Sequence, residues 1–361
     1  MATMDTPVEV KSGQREPRTR AAYAIGGLRF DIIMILLSTW FVTGVYLDGW
    51  AHNNISNLID DFFTPWHGVL YSGYFAVAGF TVLTLYRNVS KGYAFGRALP
   101  RGYLLSLLGV VIFFFAGGGD FVWHEIFGFE ENIEALLSPT HLLLVLGGLL
   151  FVSGPLRAAW HRPNAETDTS WRGLFPVVLS LLLVYSLVTF IMQFGSIVTF
   201  PNVLAGSVRH GSPDFVRSVV AINDLLIQSA MITGLLLVAL RRWHLPFGAI
   251  TAILTINTLA MHLMDWDDSQ GFWGLVIAAL LTGLIADVAR HQLRPSLERV
   301  NVLRAWAFVL PFMLTLFYIL AIIYHEGVIW RIHMTLGTPV MAGFVGLGLS
   351  FVLAPPAVPT E

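Results

Sequence analysis

Residues 102–119 read GYLLSLLGVVIFFFAGGG, a stretch with no charged side chain, and Asp120 follows it directly. A helix needs about 20 predominantly apolar residues to cross the hydrocarbon core of a bilayer, and this stretch comes close to that length. Similar windows recur along the whole chain. The ten windows are 29–47, 67–86, 102–119, 138–156, 174–193, 219–240, 246–264, 271–289, 304–324 and 335–354. The sequence therefore predicts an all-α polytopic membrane protein with about ten transmembrane helices.

The composition excludes several other classes of protein. Of the 361 residues, 55% are hydrophobic and 12% are charged, whereas a soluble domain carries about 25% charged residues. The net charge of −2 lacks the basic excess of a nucleic-acid-binding protein. Because the chain has no cysteine, disulfides, thiolate metal sites and iron–sulfur clusters are excluded as well. A membrane protein remains, with the lipid bilayer as its expected partner and 11 histidines to explain.

The basic residues predict an orientation in the membrane. If the N-terminus is cytoplasmic, 18 of the 21 lysines and arginines lie on the cytoplasmic side, as the positive-inside rule requires. We therefore expect a multi-pass protein of the inner or plasma membrane with both termini in the cytoplasm. Residues 1–22 are expected to form a disordered cytoplasmic tail, 23–354 a single transmembrane domain and 355–361 a C-terminal tail.

In this orientation most histidines and acidic residues fall on the outer side. The positive-inside rule concerns lysine and arginine, so it does not account for this second segregation. The outer face is therefore expected to use imidazole and carboxylate groups. The outer histidines are His52, His67, His124, His141, His210, His262, His325 and His333.

A pattern of Asp-x-x-x-His followed by a second histidine occurs twice at this face. Helix positions i and i+4 share one face, so the aspartate and first histidine of each copy are presented together. The second histidine follows a Thr-Pro or Ser-Pro pair that is typical of a helix start, with Thr64 or Ser138 as the N-cap. The two copies are Asp48, His52 and His67, and Asp120, His124 and His141.

Each copy offers one carboxylate and two imidazoles at one depth, which is a ligand set for a first-row transition metal. We expect the hairpins near 29–86 and 102–156 to be internal repeats. The six ligands could form one shared site, or two three-ligand sites with positions open to water or substrate. The alternative is a duplicated acid–base or structural hydrogen-bond cluster.

Weaker signals give secondary candidates. A degenerate third copy is expected within 304–354, and the seventh window ends with a histidine and an aspartate three residues apart. The secondary metal candidates are His262, Asp265, His325, His333 and Met341. The acids Glu125 and Glu326 follow histidines directly and are candidate proton shuttles.

The Asp-x-x-x-His…His pattern resembles the copper-ligand motif of the C subunit of particulate methane and ammonia monooxygenases. The resemblance covers two short stretches and implies a ligand set, not membership of that family. It implies copper held near the outer face by both copies of the pattern. The ligand chemistry is also similar, more loosely, to that of membrane hydrolases whose zinc is bound by histidine and aspartate.

Nitrogen and oxygen ligands without sulfur suit zinc, copper, iron and manganese about equally, and the affinity order of divalent metals favours copper first where availability is unrestricted, with zinc second. We expect a membrane metalloenzyme acting on a small or lipid-soluble substrate. A metal-dependent oxidoreductase is the first choice and a zinc-dependent hydrolase the second. The alternatives are a metal-handling or transport protein, and a non-catalytic subunit that assembles with other membrane subunits. No nucleic-acid partner is expected.

Overall fold

The computed structural model describes most of the chain. The described residues are 22–55, 63–128, 133–163, 165, 167–205, 208–209, 212–213, 215–266, 271–325 and 330–355. Apart from Ala22 and Pro355, the tails expected at 1–22 and 355–361 lie outside these ranges. His210 and the candidate proton shuttle Glu326 also lie outside them.

Thirteen α-helices account for most of the described residues. They are α1 (Gly27–Asn54), α2 (Pro65–Ser90), α3 (Leu104–Phe127), α4 (Ile133–Leu137), α5 (Pro139–Val152), α6 (Gly154–Trp160), α7 (Trp171–Ile191), α8 (Asn202–Ala205), α9 (Phe215–Leu240), α10 (Ala249–Met264), α11 (Gly274–Leu293), α12 (Val300–His325) and α13 (Ile332–Leu353). The strands β1 (Val208–Arg209) and β2 (Ser212–Pro213) form one short antiparallel pair.

Nine helical stretches in the described part of the chain are long and apolar enough to cross a membrane, with α5 and α6 together counting as one. The remaining predicted window, the seventh at 246–264, corresponds to α10, which is apolar but has only 16 residues. At 1.5 Å per residue α10 is about 24 Å long, somewhat short of the roughly 30 Å hydrocarbon core. The structure confirms an all-α polytopic membrane protein.

Glycines bring α1 and α2 into close antiparallel contact. A Cβ atom at Gly44 would lie 2.6 Å from the Cα atom of Leu70, and one at Gly73 would lie 2.6 Å from the Cα atom of Phe41. Backbones approach this closely only where side chains are absent. This contact therefore holds the end of α1 beside the start of α2.

The hairpin of α3 and α5 is built in the same way. A Cβ atom at Gly109 would lie 2.6 Å from the carbonyl oxygen of Gly147, and one at Gly147 would lie 2.8 Å from the carbonyl oxygen of Gly109. The two backbones touch directly at this crossing. The end of α3 and the start of α5 are thereby held together as well.

The two hairpins share one aromatic core. The Phe41 ring lies 5.2 Å from Phe113 and 4.8 Å from Phe151, and Tyr74 stacks on Phe113 at 4.5 Å. Helix α7 contributes to this core and to the larger core of the second half of the chain. It therefore lies between the two halves of the bundle.

Candidate metal centre

The first triad consists of Asp48, His52 and His67. Asp48 and His52 lie one turn apart near the end of α1, and His67 lies in the first turn of α2. The Asp48 Oδ2 atom is 3.4 Å from His67 Nε2 and 4.0 Å from His52 Nε2. Thr64 is the N-cap of α2, and its hydroxyl accepts a hydrogen bond from the His67 backbone N–H at 3.1 Å. The predicted helix start therefore places His67 opposite Asp48.

The second triad consists of Asp120, His124 and His141. Asp120 Oδ2 is 3.4 Å from His124 Nε2, and Asp120 Oδ1 is 3.6 Å from His141 Nε2. Ser138 is the N-cap of α5, as predicted, and accepts a hydrogen bond from the His141 backbone N–H at 3.3 Å. The imidazole centroids are 5.9 Å apart here and 6.1 Å apart in the first triad, so the two triads closely match in geometry.

The six candidate ligands form two groups and not one. Within each triad, one ligand atom from every residue lies within 4.8 Å of the other two. Each of these groups of three belongs to one hairpin. This arrangement favours two three-ligand sites over a single crowded site with six ligands.

The separations within the triads fit a bound ion. An N–H···O hydrogen bond is about 2.7–3.2 Å long, whereas the carboxylate-to-imidazole distances are 3.4–4.0 Å. Two ligands bound about 2.1 Å from a tetrahedral ion lie about 3.4 Å apart. Both triads can therefore hold a metal ion with little rearrangement.

Asp48 gives a second indication. Its Oδ1 atom is buried, and no described residue forms a hydrogen bond with it. A buried acceptor without a partner costs about 1–3 kcal/mol, more when it is charged. A cation between the ligands of the first triad would compensate this carboxylate.

The triads differ in exposure. The Asp120 and His124 side chains are 4% and 9% exposed, whereas those of Asp48 and His52 are 14% and 46% exposed. The second triad is therefore the more enclosed, and the first is open on the side of His52.

The second triad also has a more complete set of supporting hydrogen bonds. The Thr140 hydroxyl donates to Asp120 Oδ1 at 2.6 Å, and Ser138 Oγ lies 2.7 Å from His141 Nδ1. Contacts of this kind orient the ligands of a metal site, here leaving Nε2 of His141 toward the carboxylate.

Sequence reasoning assigned no role to Thr140. The sequence feature that could have indicated this role is a hydroxyl residue two positions after the N-cap Ser138, on the turn that faces Asp120. In the first hairpin the corresponding position is Trp66, whose ring packs against Trp50 with centroids 6.0 Å apart. The matching ligands therefore have different supporting residues.

Tyr71 lies between the two triads and was also missed. It follows His67 by one turn of α2, and its hydroxyl lies 3.1 Å from the Cβ position of Gly117, one turn before Asp120. The Tyr71 ring also lies 6.2 Å from the His67 ring of the first triad, measured between centroids. The two triads are therefore neighbours at one end of the bundle.

The secondary candidates His262 and Asp265 are both buried at the end of α10 and just after it. The His262 ring lies 4.5 Å from the Trp273 ring and 6.0 Å from the Trp266 ring, measured between centroids. Neither residue belongs to a triad, and their role as ligands stays a prediction.

The other secondary candidates lie on α12 and α13. The His325 ring packs against Phe272 at 4.4 Å, while His333 and Met341 are exposed. Over the described ranges, histidines and acids form no third group of three with metal-binding spacing. The candidate shuttle Glu125 is exposed beside His124.

Comparisons with protein-family models, with curated proteins and with solved structures found no match for this chain. The two triads are therefore the features from which its function is inferred.

Proposed function

We propose that this chain is a membrane metalloprotein that binds one transition-metal ion at each triad, on the extracytoplasmic face of the membrane. The observation that carries the proposal is the recurrence of one carboxylate and two imidazoles, with matching separations, at the ends of two neighbouring hairpins. A single cluster of this kind has an ordinary explanation as a hydrogen-bond network. Ionisable groups at the membrane edge are costly, and their recurrence in one geometry favours a ligand function.

The hairpins are inferred to be copies of one repeat. Each has a glycine contact in its interior, an Asp-x-x-x-His sequence at the end of one helix, and a capped Pro-x-His start on the next. Duplication of a metal-binding hairpin accounts for these shared features together.

The extracytoplasmic placement is supported by charge. The end of the bundle opposite the triads carries a dense set of arginines, as cytoplasmic ends do. Among them are Arg97, Arg101, Arg157, Arg162 and Arg172. An ion bound at the other end would be acquired outside the cytoplasm.

Copper is the preferred metal, with zinc and iron as alternatives. The donor set contains imidazole nitrogen and carboxylate oxygen and no sulfur, and copper stands highest in the affinity order of such sites. The open side of the first triad, at His52, gives an ion a route of entry from the membrane surface.

We further propose that the chain is an enzyme, with an oxidoreductase favoured over a hydrolase. A bound metal ion would supply Lewis-acid or redox chemistry, and three protein ligands leave positions for water and substrate. The chain's own residues would hold the ligands in place: Thr140 orients Asp120, and the N-caps Thr64 and Ser138 fix the helix turns that carry His67 and His141. A small or lipid-soluble substrate fits this setting at the membrane edge.

Transport of the metal into the cytoplasm is the less favoured function. Between the triads and the opposite end, the two hairpins are filled by the packed rings of Phe41, Tyr74, Phe113 and Phe151. Such a core provides no chain of ligands along which an ion could pass.

X-ray absorption spectroscopy at the absorption edge of the bound metal tests the enzyme proposal. It is recorded on the purified, metal-loaded chain. We expect two imidazole nitrogens per ion and at least one oxygen ligand that exchanges with added azide or cyanide. A shell saturated by protein ligands that does not respond to these anions would contradict catalysis and favour a structural or storage function.

A further inference from the structure

Arg157 of α6 lies half-buried at the end of the bundle opposite the triads. Its Nε donates to the carbonyl oxygen of Gly102 at 2.9 Å, and its Nη1 donates to Ser153 Oγ at 2.5 Å. Its Nη2 donates to Ser106 Oγ at 2.9 Å and to the carbonyl oxygen of Leu150 at 2.6 Å. All four acceptors are neutral, so the positive charge is hydrogen-bonded without being neutralised.

The nearby carboxylate is used by another arginine. Asp31 pairs with Arg162 and also accepts a hydrogen bond from the Tyr103 hydroxyl at 2.6 Å. Within the described residues no carboxylate forms an ion pair with Arg157. A guanidinium stays protonated in proteins, and a charge removed from water is usually paired. Arg157 therefore favours an anionic ligand.

A cavity of about 340 Å³ lies beside Arg157 and concentrates positive charge. Arg101 and His161 also line it, and no described acidic residue does. The Arg101 guanidinium is held 5.6 Å above the ring of Tyr23, another lining residue. The turn between Arg101 and α3 is tight, because Gly102 has φ +100° and a Cβ there would lie 2.7 Å from the Ala158 nitrogen. The cationic wall is thus built by packed residues.

The same cavity has an apolar side. Leu104 and Leu105, at the start of α3, line it and are 46% and 47% exposed. Because α3 is a membrane-spanning helix, these side chains face the hydrocarbon. A free anion would gain nothing from them, whereas a phospholipid has both an anionic head and an acyl chain.

We propose that this cavity binds the phosphate group of an anionic phospholipid. Arg101 and Arg157 supply the charge, and Leu104 and Leu105 contact the acyl chain beside the headgroup. Arg157 has five N–H groups and uses four in the bonds described, which leaves one Nη1 hydrogen for a phosphate oxygen. The lipid would complete the charge balance at this end of the bundle.

Binding is tested with the full-length chain, purified in detergent and stripped of lipid. Native mass spectrometry with phosphatidylglycerol or phosphatidylcholine gives the affinity for each lipid. We expect phosphatidylglycerol to bind at least tenfold tighter than phosphatidylcholine. Arg101→Gln should lower the affinity for phosphatidylglycerol about fivefold, which is the effect expected of one basic residue near an anionic lipid.

The matched control is Arg172→Gln, which removes the same charge from an exposed position at the same end, outside the cavity. It should leave phosphatidylglycerol binding unchanged. Equal binding of the two lipids, or equal weakening by Arg101→Gln and Arg172→Gln, would overturn the proposal. Displacement of phosphatidylglycerol by equimolar inorganic phosphate would assign the cavity to a free anion and would overturn the lipid assignment.

Discussion

At the level of single residues, the two triad carboxylates have different neighbours. Asp120 Oδ1 accepts the Thr140 hydroxyl, whereas no described residue donates to Asp48 Oδ1. A carboxylate that is already oriented loses less freedom when it binds an ion. We therefore expect the second triad to bind its metal more tightly than the first.

Thr140→Val should lower the metal affinity of the second triad about 10–100-fold, because it removes the hydrogen bond to Asp120 at nearly constant volume. A metal titration against a competing chelator measures this change. Thr140→Ser keeps the hydroxyl and should retain most of the affinity. Wild-type affinity in Thr140→Val would show that the hydroxyl does not support the site.

Asp48→Asn separates a ligand role from a structural one. In the metal-free protein this change removes the charge from a carboxylate whose buried Oδ1 atom has no described hydrogen-bond partner, and it should stabilise the fold by about 1–3 kcal/mol. It should also reduce the stabilisation that added metal produces. Thermal unfolding with and without metal measures both effects. A lower unfolding temperature of the metal-free variant would assign Asp48 a structural role.

At the level of helices, each triad depends on the close contact of two backbones. Gly147 faces the carbonyl oxygen of Gly109 and the backbone nitrogen of Phe113, at 2.8 and 2.9 Å from a Cβ position, and backbone atoms there cannot move aside cheaply. The spacing of α3 and α5 therefore sets the distance from Asp120 to His141.

Gly147→Ala should push α5 away from α3 and remove the metal of the second triad, while the first triad keeps its ion. Overpacking of this kind costs about 1–3 kcal/mol. Metal content per folded chain, after size-exclusion chromatography, gives the result. Gly118→Ala is the control, since nothing lies within 4 Å of a Cβ there. If Gly147→Ala removes the ions of both triads, or removes neither ion, the two hairpins do not form separate metal sites.

Helix bounds show where sequence patterns reach their limit. The window 138–156 is confirmed as one span, and within it the structure places a break at Ser153, between α5 and α6. Pro155 lacks an N–H donor and its ring crowds the preceding turn, so it disrupts a continuous helix. Hydropathy averages over such a residue and does not register it.

At the level of the whole molecule, single introduced cysteines can report the orientation of the chain in the membrane. The chain has no cysteine, so each introduced cysteine is a unique label. Phe63, at the triad end, is 78% exposed, and Lys91, at the opposite end of α2, is also exposed. These two positions report on the two sides of the membrane.

With a membrane-impermeant maleimide on intact cells, the Phe63→Cys variant should be labelled and the Lys91→Cys variant should not. Lysis should make Lys91→Cys reactive. The reverse pattern would place the triads on the cytoplasmic side and would contradict the positive-inside assignment.

Sequence patterns predicted the spans and the triads because both depend on local spacing. The i, i+4 relation of Asp48 and His52, and the N-cap that places His67, are properties of single helices. The contact of Thr140 with Asp120, and the position of Tyr71 between the hairpins, depend on how separate helices pack. Such contacts leave no periodic signal in the sequence.

The most direct test of the central claim is the metal content of the purified chain, measured by inductively coupled plasma mass spectrometry after loading with copper and removal of loosely bound ions. Two triads predict two ions per wild-type chain, one in Asp48→Asn, one in Asp120→Asn and none in the double variant. A wild-type chain without stoichiometric metal, or a double variant that retains it, would show that the triads do not bind metal.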